Sequence, residues 1–537
     1  MFPTDREADP GPPALTRARR IVQWTGLVGG PLAALALFLL LPDSYLSAAG
    51  EPVAFSAAGR ATLGVMAWMG MWWLTEAVDI SVTALLPIAV FPVAGIAGIG
   101  ATTAPYADPV IFLFMGGFLL ALSMQRWGLD QRIALITLRL VGTKPANMVA
   151  GFMLATAAIS AFVSNTATAA MMLPIALSVI DLVLRQTTGR GLTGSGTLPE
   201  AAGRNFALCL LLGIAYAASI GGIATIIGTP PNVFLVGFIR NTIDPQYRRE
   251  ISFVRWLAVG VPLTAVFLPV VWLLLTRVLY PIRITSIEGG RDLVETKYRA
   301  LGPASPGEWI TVIVFTLTAL AWIFRPIIDR GIVDHIDPAT GTTIYVVPPL
   351  LPGITDTVIV MIAAMLLFVI PVRPSRLEFT LNWATARKLP WGILILFGGG
   401  LSLAGAVQAN GVAEFIGSQT AAFGDVPDLV VVLAVVTIVI FLTELTSNTA
   451  TTATFVPILA GLAPALGLHP YLLIVPAAIA ASCAFMMPVA TPPNAIVFGS
   501  GYVTIPQMCK AGFWLNMIGI ALVTMLGYFI VGPLLIS

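Results

Sequence analysis

Charge, histidine and cysteine are all scarce in this 537-residue sequence. Aspartate, glutamate, lysine and arginine make up 10% of the chain, whereas soluble globular domains carry about 25%. The two histidines and three scattered cysteines form no motif with the spacing of a metal site or a disulfide framework. The formal net charge of +2 comes without a basic stripe, so we expect no nucleic-acid partner. These shortages exclude a soluble globular fold.

Hydrophobic residues dominate instead, at 57% of the chain and a mean hydropathy of +0.92. About 20 apolar residues in a helix cross the roughly 30 Å of hydrocarbon in a bilayer. The sequence therefore predicts an all-α polytopic membrane protein with about eleven transmembrane helices. The predicted spans are 22–41, 59–76, 80–98, 108–125, 206–238, 254–276, 309–325, 355–372, 390–407, 470–499 and 510–535.

Two further apolar segments are too long for one crossing and are interpreted as re-entrant helical hairpins. Residues 145–184 contain Asp181 as their only charge and are flanked by basic residues at both ends, which indicates the same side of the membrane twice. Forty helical residues reach about 60 Å, so this segment enters the bilayer and returns, with Asn165 at its turn. Residues 429–468 form the second hairpin around Asn448. A helix from Asp130 to Leu140 is predicted to lie along the membrane surface.

The distribution of basic residues sets the predicted orientation. On this arrangement 21 of the 28 lysines and arginines face one side, and basic loops face the cytoplasm. We therefore expect a cytoplasmic amino terminus, an external carboxyl terminus and a location in the plasma membrane, the inner membrane if the source is bacterial. No small-residue cleavage site clearly follows the first apolar segment, so it is predicted to be a retained helix rather than a signal peptide.

A polar pentapeptide occurs twice within the apolar hairpins. Residues 164–175 align with 447–458 at an offset of 283 with eight identities in twelve, including Ser-Asn-Thr-Ala-Thr in both. At the same offset, 114–128 aligns with 397–411 with seven identities in fifteen. A Thr-Pro-Pro-Asn motif also recurs, at 229–232 and 491–494. The first copy enters from inside and the second from outside, which predicts an inverted repeat with a site at mid-membrane.

These residue types suit a site for an anion and cations. Consecutive prolines break a helix and leave free carbonyls and new helix N-termini at membrane depth. Helix N-termini attract carboxylates, and hydroxyl, amide and carbonyl oxygens suit hard monovalent cations. No lysine, arginine or histidine lies in either hairpin or either Pro-Pro segment. A bound anion there would depend on dipoles, amides and co-bound cations, which is a physical reason for ion coupling.

Each feature also has a plainer explanation. A single Ser-Asn-Thr motif in a membrane helix usually forms hydrogen bonds to a neighbouring helix, and a single Pro-Pro usually causes a kink. The occurrence of both, twice and in register, favours the binding site. Glu444, whose repeat mate is Ala161, either faces water, caps backbone donors or carries a proton.

The paired motifs together resemble the divalent anion/sodium symporter family over roughly residues 25–535. The resemblance rests on the two Ser-Asn-Thr tips, the two Thr-Pro-Pro-Asn segments, Trp72-Trp73-Leu74-Thr75-Glu76-Ala77, and Pro390-Trp391 leading into Phe397-Gly398-Gly399-Gly400. It implies a homodimer in which each protomer has a scaffold domain and a transport domain that carries substrate by an elevator motion.

The resemblance also implies a division of the chain into a tail, a linker and two segments each of scaffold and transport domain. The tail (1–21) and the linker (281–308) would be cytoplasmic. The scaffold would comprise 22–143 in the first repeat and 309–427 in the second. The transport domain would comprise 144–280, with hairpin 145–184 and broken helix 206–238, and 428–537, with hairpin 429–468 and broken helix 470–499.

Site residues follow from the family pattern, position by position. One sodium ion would lie among Ser160, Ser164, Asn165 and Gly228, and a second among Thr443, Thr446, Asn448 and Ala490. The substrate would meet Asn165, Thr166, Thr229, Pro230, Asn448, Thr449, Thr491 and Pro492. Thr229 stands where serine is as readily expected in this family, and Thr446 where a smaller residue is common, so both departures bear on substrate choice rather than on the class.

The resulting prediction is a transporter, not an enzyme, that imports C4-dicarboxylates such as succinate, malate or fumarate with sodium as the coupling ion and no organic cofactor. Two close alternatives stay open: a dicarboxylate or citrate exchanger without sodium coupling, and a sulfate transporter. A membrane-embedded enzyme would need clustered acidic residues or histidines at a membrane edge for acid–base or metal chemistry, and the sequence has none.

Overall fold

The computed structural model describes residues 17–46, 51–142, 144–188, 200–284, 286–287, 289–336, 343–420 and 426–536, and most of these residues are helical. The helices before the first hairpin are α1 (Arg17–Leu40), α2 (Ala57–Thr75), α3 (Ile80–Thr83), α4 (Leu86–Val90), α5 (Ile99–Thr103), α6 (Pro109–Trp127) and α7 (Leu129–Val141). The next group is α8 (Pro145–Ser160), α9 (Asn165–Thr188), α10 (Glu200–Ile223), α11 (Pro230–Asn241), α12 (Phe253–Leu273) and α13 (Gly290–Ala300).

The second half of the chain is also mostly helical. Its helices are α14 (Pro306–Arg330), α15 (Asp356–Val369), α16 (Trp383–Ala386), α17 (Trp391–Ala409), α18 (Val412–Thr420), α19 (Asp428–Thr443), α20 (Asn448–Ala465), α21 (Tyr471–Ala480), α22 (Pro492–Gly499) and α23 (Ile505–Leu526). Two π-helical turns, Leu274–Leu279 and Gly527–Ile536, extend α12 and α23.

Three short antiparallel hairpins connect helices, and the all-α prediction omitted them. They are β1 (Ser44–Leu46) with β2 (Pro52–Ala54), β3 (Ile332–Ile336) with β4 (Thr343–Val347), and β5 (Pro371–Arg373) with β6 (Glu378–Phe379). Among the residues that the structure describes, each strand pairs with its immediate neighbour in the chain and belongs to a two-stranded sheet.

Within the described residues, eight helical segments are long and apolar enough to cross a membrane. They are Arg19–Leu40, Ile99–Trp127, Asn165–Leu184, Ala201–Ile223, Phe253–Leu279, Pro306–Arg330, Trp391–Ala409 and Ile505–Ile536. Shorter apolar helices occupy Ile80–Val90, Pro145–Ser160, Asp356–Val369, Asp428–Thr443 and Tyr471–Ala480. The helical membrane architecture is confirmed, and the count of eleven crossings stays a prediction.

The single span predicted over 80–98 is wrong, because the structure divides it into α3, α4 and a turn. The Asp79 carboxylate caps α3 by accepting a hydrogen bond from the Ser81 amide at 2.8 Å. Pro87 lies in the first turn of α4, where its missing amide is tolerated. Gly95 then turns the chain at a φ of +66°. The eleven residues from Ile80 to Val90 rise about 16 Å as a helix, roughly half of a membrane crossing.

The core of the molecule surrounds α10. Residues 206–223 of this helix are entirely buried, and the helix packs against α8, α9, α12 and α22. In contrast, α14 leaves large apolar side chains such as Trp309 and Leu317 more than half exposed. Such a face is stable where hydrocarbon rather than water surrounds it.

Two amphipathic helices, α7 and α13, pack against each other and connect the apolar helices. The helix predicted at Asp130–Leu140 is confirmed as α7. Arg139 pairs with Glu295 of α13 at 3.0 Å. Arg132 donates to Glu308, near the start of α14, through Nε at 2.5 Å and a second nitrogen at 3.3 Å. Bidentate pairs of this kind fix geometry as well as charge.

Candidate cation and anion site

The hairpin tips occur where the polar repeats predict them. In the first hairpin α8 ends at Ser160 and α9 begins at Asn165, and in the second α19 ends at Thr443 and α20 begins at Asn448. Each Ser-Asn-Thr motif therefore lies at the N-terminus of a helix. The free amides and partial positive charge of such an end suit a carboxylate or another acceptor.

Both Pro-Pro segments break their helices, as predicted. α10 ends at Ile223, a 3₁₀ turn covers Ile226–Gly228, and α11 begins at Pro230. In the second half α21 ends at Ala480 and α22 begins at Pro492. The residue before each proline pair has an extended backbone, with φ −145° and ψ 143° at Thr229 and φ −140° and ψ 148° at Thr491. The restriction that proline places on its predecessor explains this shared conformation.

Three oxygen atoms meet between the first hairpin and its broken helix. The buried Ser160 hydroxyl lies 2.6 Å from Asn165 Oδ1 and 2.8 Å from the carbonyl oxygen of Ala218 in α10. A hydroxyl carries one proton and can donate to only one of these two acceptors at a time. The arrangement therefore has an excess of oxygen lone pairs, which is the ligand chemistry of a hard cation.

The same arrangement occurs in the second hairpin. The buried Thr443 hydroxyl lies 2.8 Å from Asn448 Oδ1 and 2.9 Å from the carbonyl oxygen of Ala481. Serine and threonine can replace each other at this position, because each supplies one hydroxyl at the end of the first helix of its hairpin. We call these two sets, Ser160–Asn165–Ala218 and Thr443–Asn448–Ala481, the paired oxygen clusters.

Close backbone packing surrounds the first cluster. A Cβ atom at Gly222 would lie 2.8 Å from Asn165 Oδ1 and 3.0 Å from the carbonyl oxygen of Gly228. A Cβ atom at Gly228 would contact the carbonyl oxygen of Gly222 and would lie 2.9 Å from that of Ala161. Glycine at position 222 lets the backbone approach Asn165, and glycine at position 228 lets the backbone approach the carbonyl oxygens of Gly222 and Ala161.

Glu444 caps the irregular segment of the second broken helix. Its buried carboxylate accepts hydrogen bonds from the amides of Phe485, Met486 and Met487 at 2.7–3.0 Å. The side chain of Asn516 in α23 donates a further bond at 2.8 Å. Of the three roles weighed from the sequence, the structure supports the capping of backbone donors. In the first half, the Ala161 carbonyl instead accepts a bond from the Thr225 hydroxyl.

Comparison with known proteins gives the class of the chain. Residues 31–536 match the family described as the sodium:sulfate symporter transmembrane region. The sodium-dependent dicarboxylate transporter SdcS of Staphylococcus saprophyticus is 39% identical over 521 residues, covering 97% of this chain and 93% of that protein. The chain belongs to the divalent anion/sodium symporter family. The family consists of transporters, so the protein is a transporter and not an enzyme.

Other comparisons agree on class and fold. The SdcS protein of Staphylococcus aureus RF122 is 37% identical over 513 residues, covering 95% of this chain and 91% of its own. Among solved structures, the Alcanivorax borkumensis YdaH transporter has a TM-score of 0.54 at 16% identity, with 96% of this chain and 98% of that one covered. Neisseria gonorrhoeae MtrF gives the same TM-score and identity over 95% and 97%. At this identity the two structures support the fold alone.

Some residues of the sodium sets expected for a divalent anion/sodium symporter lie in the paired oxygen clusters, and others make different bonds. Ser160 and Asn165 are in contact, as are Thr443 and Asn448. The Ser164 hydroxyl instead caps α9 by accepting a bond from the Ala167 amide at 3.3 Å. These contacts do not depend on any charged side chain.

The remaining two members of the second set bond to other groups. The Thr446 hydroxyl bonds to the Leu442 carbonyl at 2.9 Å and to the Thr451 hydroxyl at 2.7 Å. The Ala490 amide donates to the Met487 carbonyl at 3.2 Å. The Thr446 hydroxyl therefore bonds within its own hairpin and is not part of the Thr443–Asn448–Ala481 cluster.

The expected substrate residues differ in exposure. Thr166 is exposed, Asn165 and Asn448 are half-buried, and Thr449 is buried. Thr229 and Thr491 are buried N-cap residues, followed by Pro230 and Pro492 at the start of their helices. The Thr491 hydroxyl accepts a bond from the Asn494 amide at 3.3 Å, whereas the Thr229 hydroxyl makes no capping bond.

Sequence reasoning did not assign roles to Asn232 and Asn494, the last residues of the Thr-Pro-Pro-Asn motifs. The Asn232 amide donates to the carbonyls of Gly222, Ile223 and Thr225 at 2.8–3.3 Å, and Asn494 donates to those of Ala484 and Met487 at 3.2 and 3.1 Å. Both side chains are fully buried. These bonds connect the first turn of α11 and of α22 to the chain segment that precedes each helix. The sequence signal that could have identified these residues is the presence of asparagine at the last position of both Thr-Pro-Pro-Asn motifs.

The two halves of the chain also pack across each other. α9 of the first hairpin packs against α22, the broken helix of the second half, and α20 of the second hairpin packs against α11 of the first half. α22 also packs against α10. The described residues contain no cluster of three or more histidine, cysteine or acidic side chains that could hold a metal ion.

Proposed function

We propose that the protein imports C4-dicarboxylates such as succinate, malate and fumarate, driven by sodium ions. The observation that carries this proposal is the pair of oxygen clusters at helix N-termini in a region without lysine, arginine or histidine. The similarity to sodium-dependent dicarboxylate transporters of Staphylococcus supports the same substrate and ion.

The chemistry of the site explains why uptake would need sodium. A dicarboxylate brings two negative charges into a low-dielectric region, where an uncompensated charge is very costly. Helix N-termini offset part of this cost, at about 0.3–1 kcal/mol for each favourable contact. Cations in the paired oxygen clusters would supply the remaining compensation, with Ser160 and Asn165 holding one and Thr443 and Asn448 the other. The substrate carboxylates would then meet Asn165, Thr166, Asn448 and Thr449.

The architecture supports an elevator mechanism. In this proposal the helix pairs α8–α9 and α19–α20 are re-entrant hairpins of an inverted repeat, and with their broken helices they form the transport domain (144–280 and 428–537). The packing of each hairpin against the other half's broken helix would let these elements move as one unit. The scaffold (22–143 and 309–427) would form the contact of a homodimer, with the amino terminus in the cytoplasm and the carboxyl terminus outside.

Uptake by reconstituted vesicles tests the proposal. Purified protein in proteoliposomes should accumulate labelled succinate under an inward sodium gradient and should take up much less when choline replaces sodium. Uptake that needs internal succinate but no sodium would instead establish an exchanger. Strong inhibition by sulfate with none by unlabelled succinate would establish an inorganic-anion transporter, and either result would overturn the proposed activity.

A further inference from the structure

A basic cavity lies at the junction of the two amphipathic helices, and its lining contains none of the proposed transport-site residues. Its volume is about 580 Å³, and α7 and α13 line it. The lining residues are Ile136, Leu138, Arg139, Leu140, Gly142, Arg291, Val294 and Glu295. Cavities of this size hold small organic ligands or lipid headgroups rather than single ions.

Positive charge is in excess around this cavity. Glu295 is its one acidic lining residue, and it already pairs with Arg139 at 3.0 Å and with Arg299 at 2.9 Å. The Arg139 guanidinium also lies over the ring of Tyr298, 4.3 Å from its centroid, which holds it in place. Arg291 is exposed and, within the described part of the chain, pairs with no carboxylate. Among the described residues, the cavity therefore presents one guanidinium without a carboxylate partner beside a second that is paired and held in place.

The apolar side of the cavity points to a lipid. Leu140 is 81% exposed and Ile136 is 39% exposed, although both lie beside the arginines. α7 connects the apolar helices α6 and α8, and α13 precedes α14, whose apolar face is also exposed. Both amphipathic helices thus lie where apolar helices end, which is the level of the lipid headgroups.

We propose that this cavity binds the phosphate headgroup of an anionic phospholipid, with Arg139 and Arg291 contacting the phosphate and Leu140 and Ile136 contacting the acyl chains. Basic pockets between membrane helices are a recognised mode of headgroup binding. A free phosphate would satisfy the arginines but would leave the exposed leucine and isoleucine without a partner. The lipid would bridge α7 and α13, the connectors on either side of the first hairpin region.

Binding of dioctanoyl phosphatidylglycerol to the purified full-length protein, followed by thermal shift in a neutral detergent, tests this site. Dioctanoyl phosphatidylcholine and inorganic phosphate are the comparison probes. Phosphatidylglycerol should stabilise the protein at the lowest concentration. Arg291→Gln should raise its half-saturating concentration about fivefold, the effect of one basic residue at a membrane surface, and Arg291→Lys should retain most of the affinity.

Lys297→Gln is the matched control, because Lys297 lies on the same helix and outside the cavity lining. It should leave the half-saturating concentration unchanged. Leu140→Gln should weaken binding of phosphatidylglycerol without affecting any response to phosphate. Equal stabilisation by inorganic phosphate, an equal loss in Lys297→Gln, or wild-type affinity in Arg291→Gln would each overturn the proposed lipid site.

Discussion

At the scale of single residues, Ser160 and Thr443 occupy equivalent places and make equivalent bonds. Each ends the first helix of its hairpin, and each bonds to the tip asparagine and to a carbonyl of the neighbouring helix. A cation that approached either asparagine would therefore meet a hydroxyl and a carbonyl oxygen already in position. Such preorganisation lowers the cost of ordering ligands around the ion.

Thr443→Val should weaken sodium activation of succinate uptake. Valine preserves the shape of threonine but removes the oxygen that lies 2.8 Å from Asn448 Oδ1. Loss of a bond to a charged group costs about 1.5–3 kcal/mol, so the sodium concentration for half-maximal uptake should rise about tenfold or more.

Thr437→Val provides the control for this measurement. Thr437 is a half-buried residue of the same helix, and its hydroxyl bonds only to the Leu433 carbonyl within the described residues. Its substitution should leave sodium activation unchanged. Equal sodium activation in Thr443→Val and the wild type would remove Thr443 from the cation site.

Glu444→Gln should lower thermal stability, since an amide offers one acceptor oxygen where the carboxylate offers two. Its NH2 group would face the backbone amides of Phe485 to Met487. Leaving buried donors unsatisfied costs about 1–3 kcal/mol each, which a melting curve in detergent would detect. Glu414→Gln, at an exposed position of α18, should melt as the wild type does. A Glu444→Gln protein with normal melting but altered pH dependence of uptake would favour the proton-carrier role instead.

Sequence reasoning reached the tip residues but not the side chains that support them. Asn165 and Asn448 could be predicted because polar residues repeat inside apolar segments. The bonds of Asn232 and Asn494 could not, because they depend on how far each broken helix folds back on itself. The three-dimensional partner of Glu444, Asn516, is 72 positions away in the chain, a distance that no local pattern encodes.

At the scale of secondary structure elements, the broken helices bring backbone oxygens to the hairpin tips. The first break depends on Gly222 and Gly228, whose backbones approach each other more closely than any side chain would allow, and Gly222 also packs closely against Asn165. The prolines stop the helix, and the glycines let the two broken ends pack together. This division of roles explains why glycines accompany the prolines in the first broken helix.

Gly228→Ala should impair uptake and raise the sodium requirement. The added methyl group would contact the Gly222 carbonyl and lie 2.9 Å from that of Ala161, both of which are backbone atoms. Overpacking of this kind costs about 1–3 kcal/mol and would shift the Gly222 backbone, which packs against Asn165. Gly499→Ala is the control, since a Cβ atom there would have open space in α22. Wild-type sodium dependence in Gly228→Ala would contradict a role for the close packing of Gly222 and Gly228 in the cation site.

Hydrophobicity predicted most apolar helices but failed at 80–98. The composition of that segment is as apolar as a true span, and its division is set by a cap at Asp79, a proline at position 87 and a positive φ at Gly95. Hydropathy averaged over a window of residues does not detect a helix cap, a proline or a positive φ, so it does not show where the segment is divided. The short β-hairpins were missed for a related reason, because each contains too few residues to show an alternating pattern.

At the scale of the whole molecule, packing between the two halves should make the hairpins move together. Single cysteines at positions 164 and 447, in a background without Cys209, Cys483 and Cys509, should change their accessibility to a membrane-impermeant thiol reagent in opposite senses when sodium and succinate are added outside. Cysteine at position 60, in α2 of the proposed scaffold, should keep its reactivity. Constant labelling at both tips would contradict a moving transport domain.

The central claim is that sodium at the paired oxygen clusters creates the binding site for the dicarboxylate. Calorimetric titration of succinate into the purified protein, in sodium chloride and in choline chloride, tests this claim most directly. We predict binding at least about fivefold tighter in sodium, within the usual range of coupling between two sites, and loss of this difference in Asn165→Ala and in Asn448→Ala separately. Equal succinate affinity in the two salts, or an undiminished sodium effect in both variants, would contradict the account.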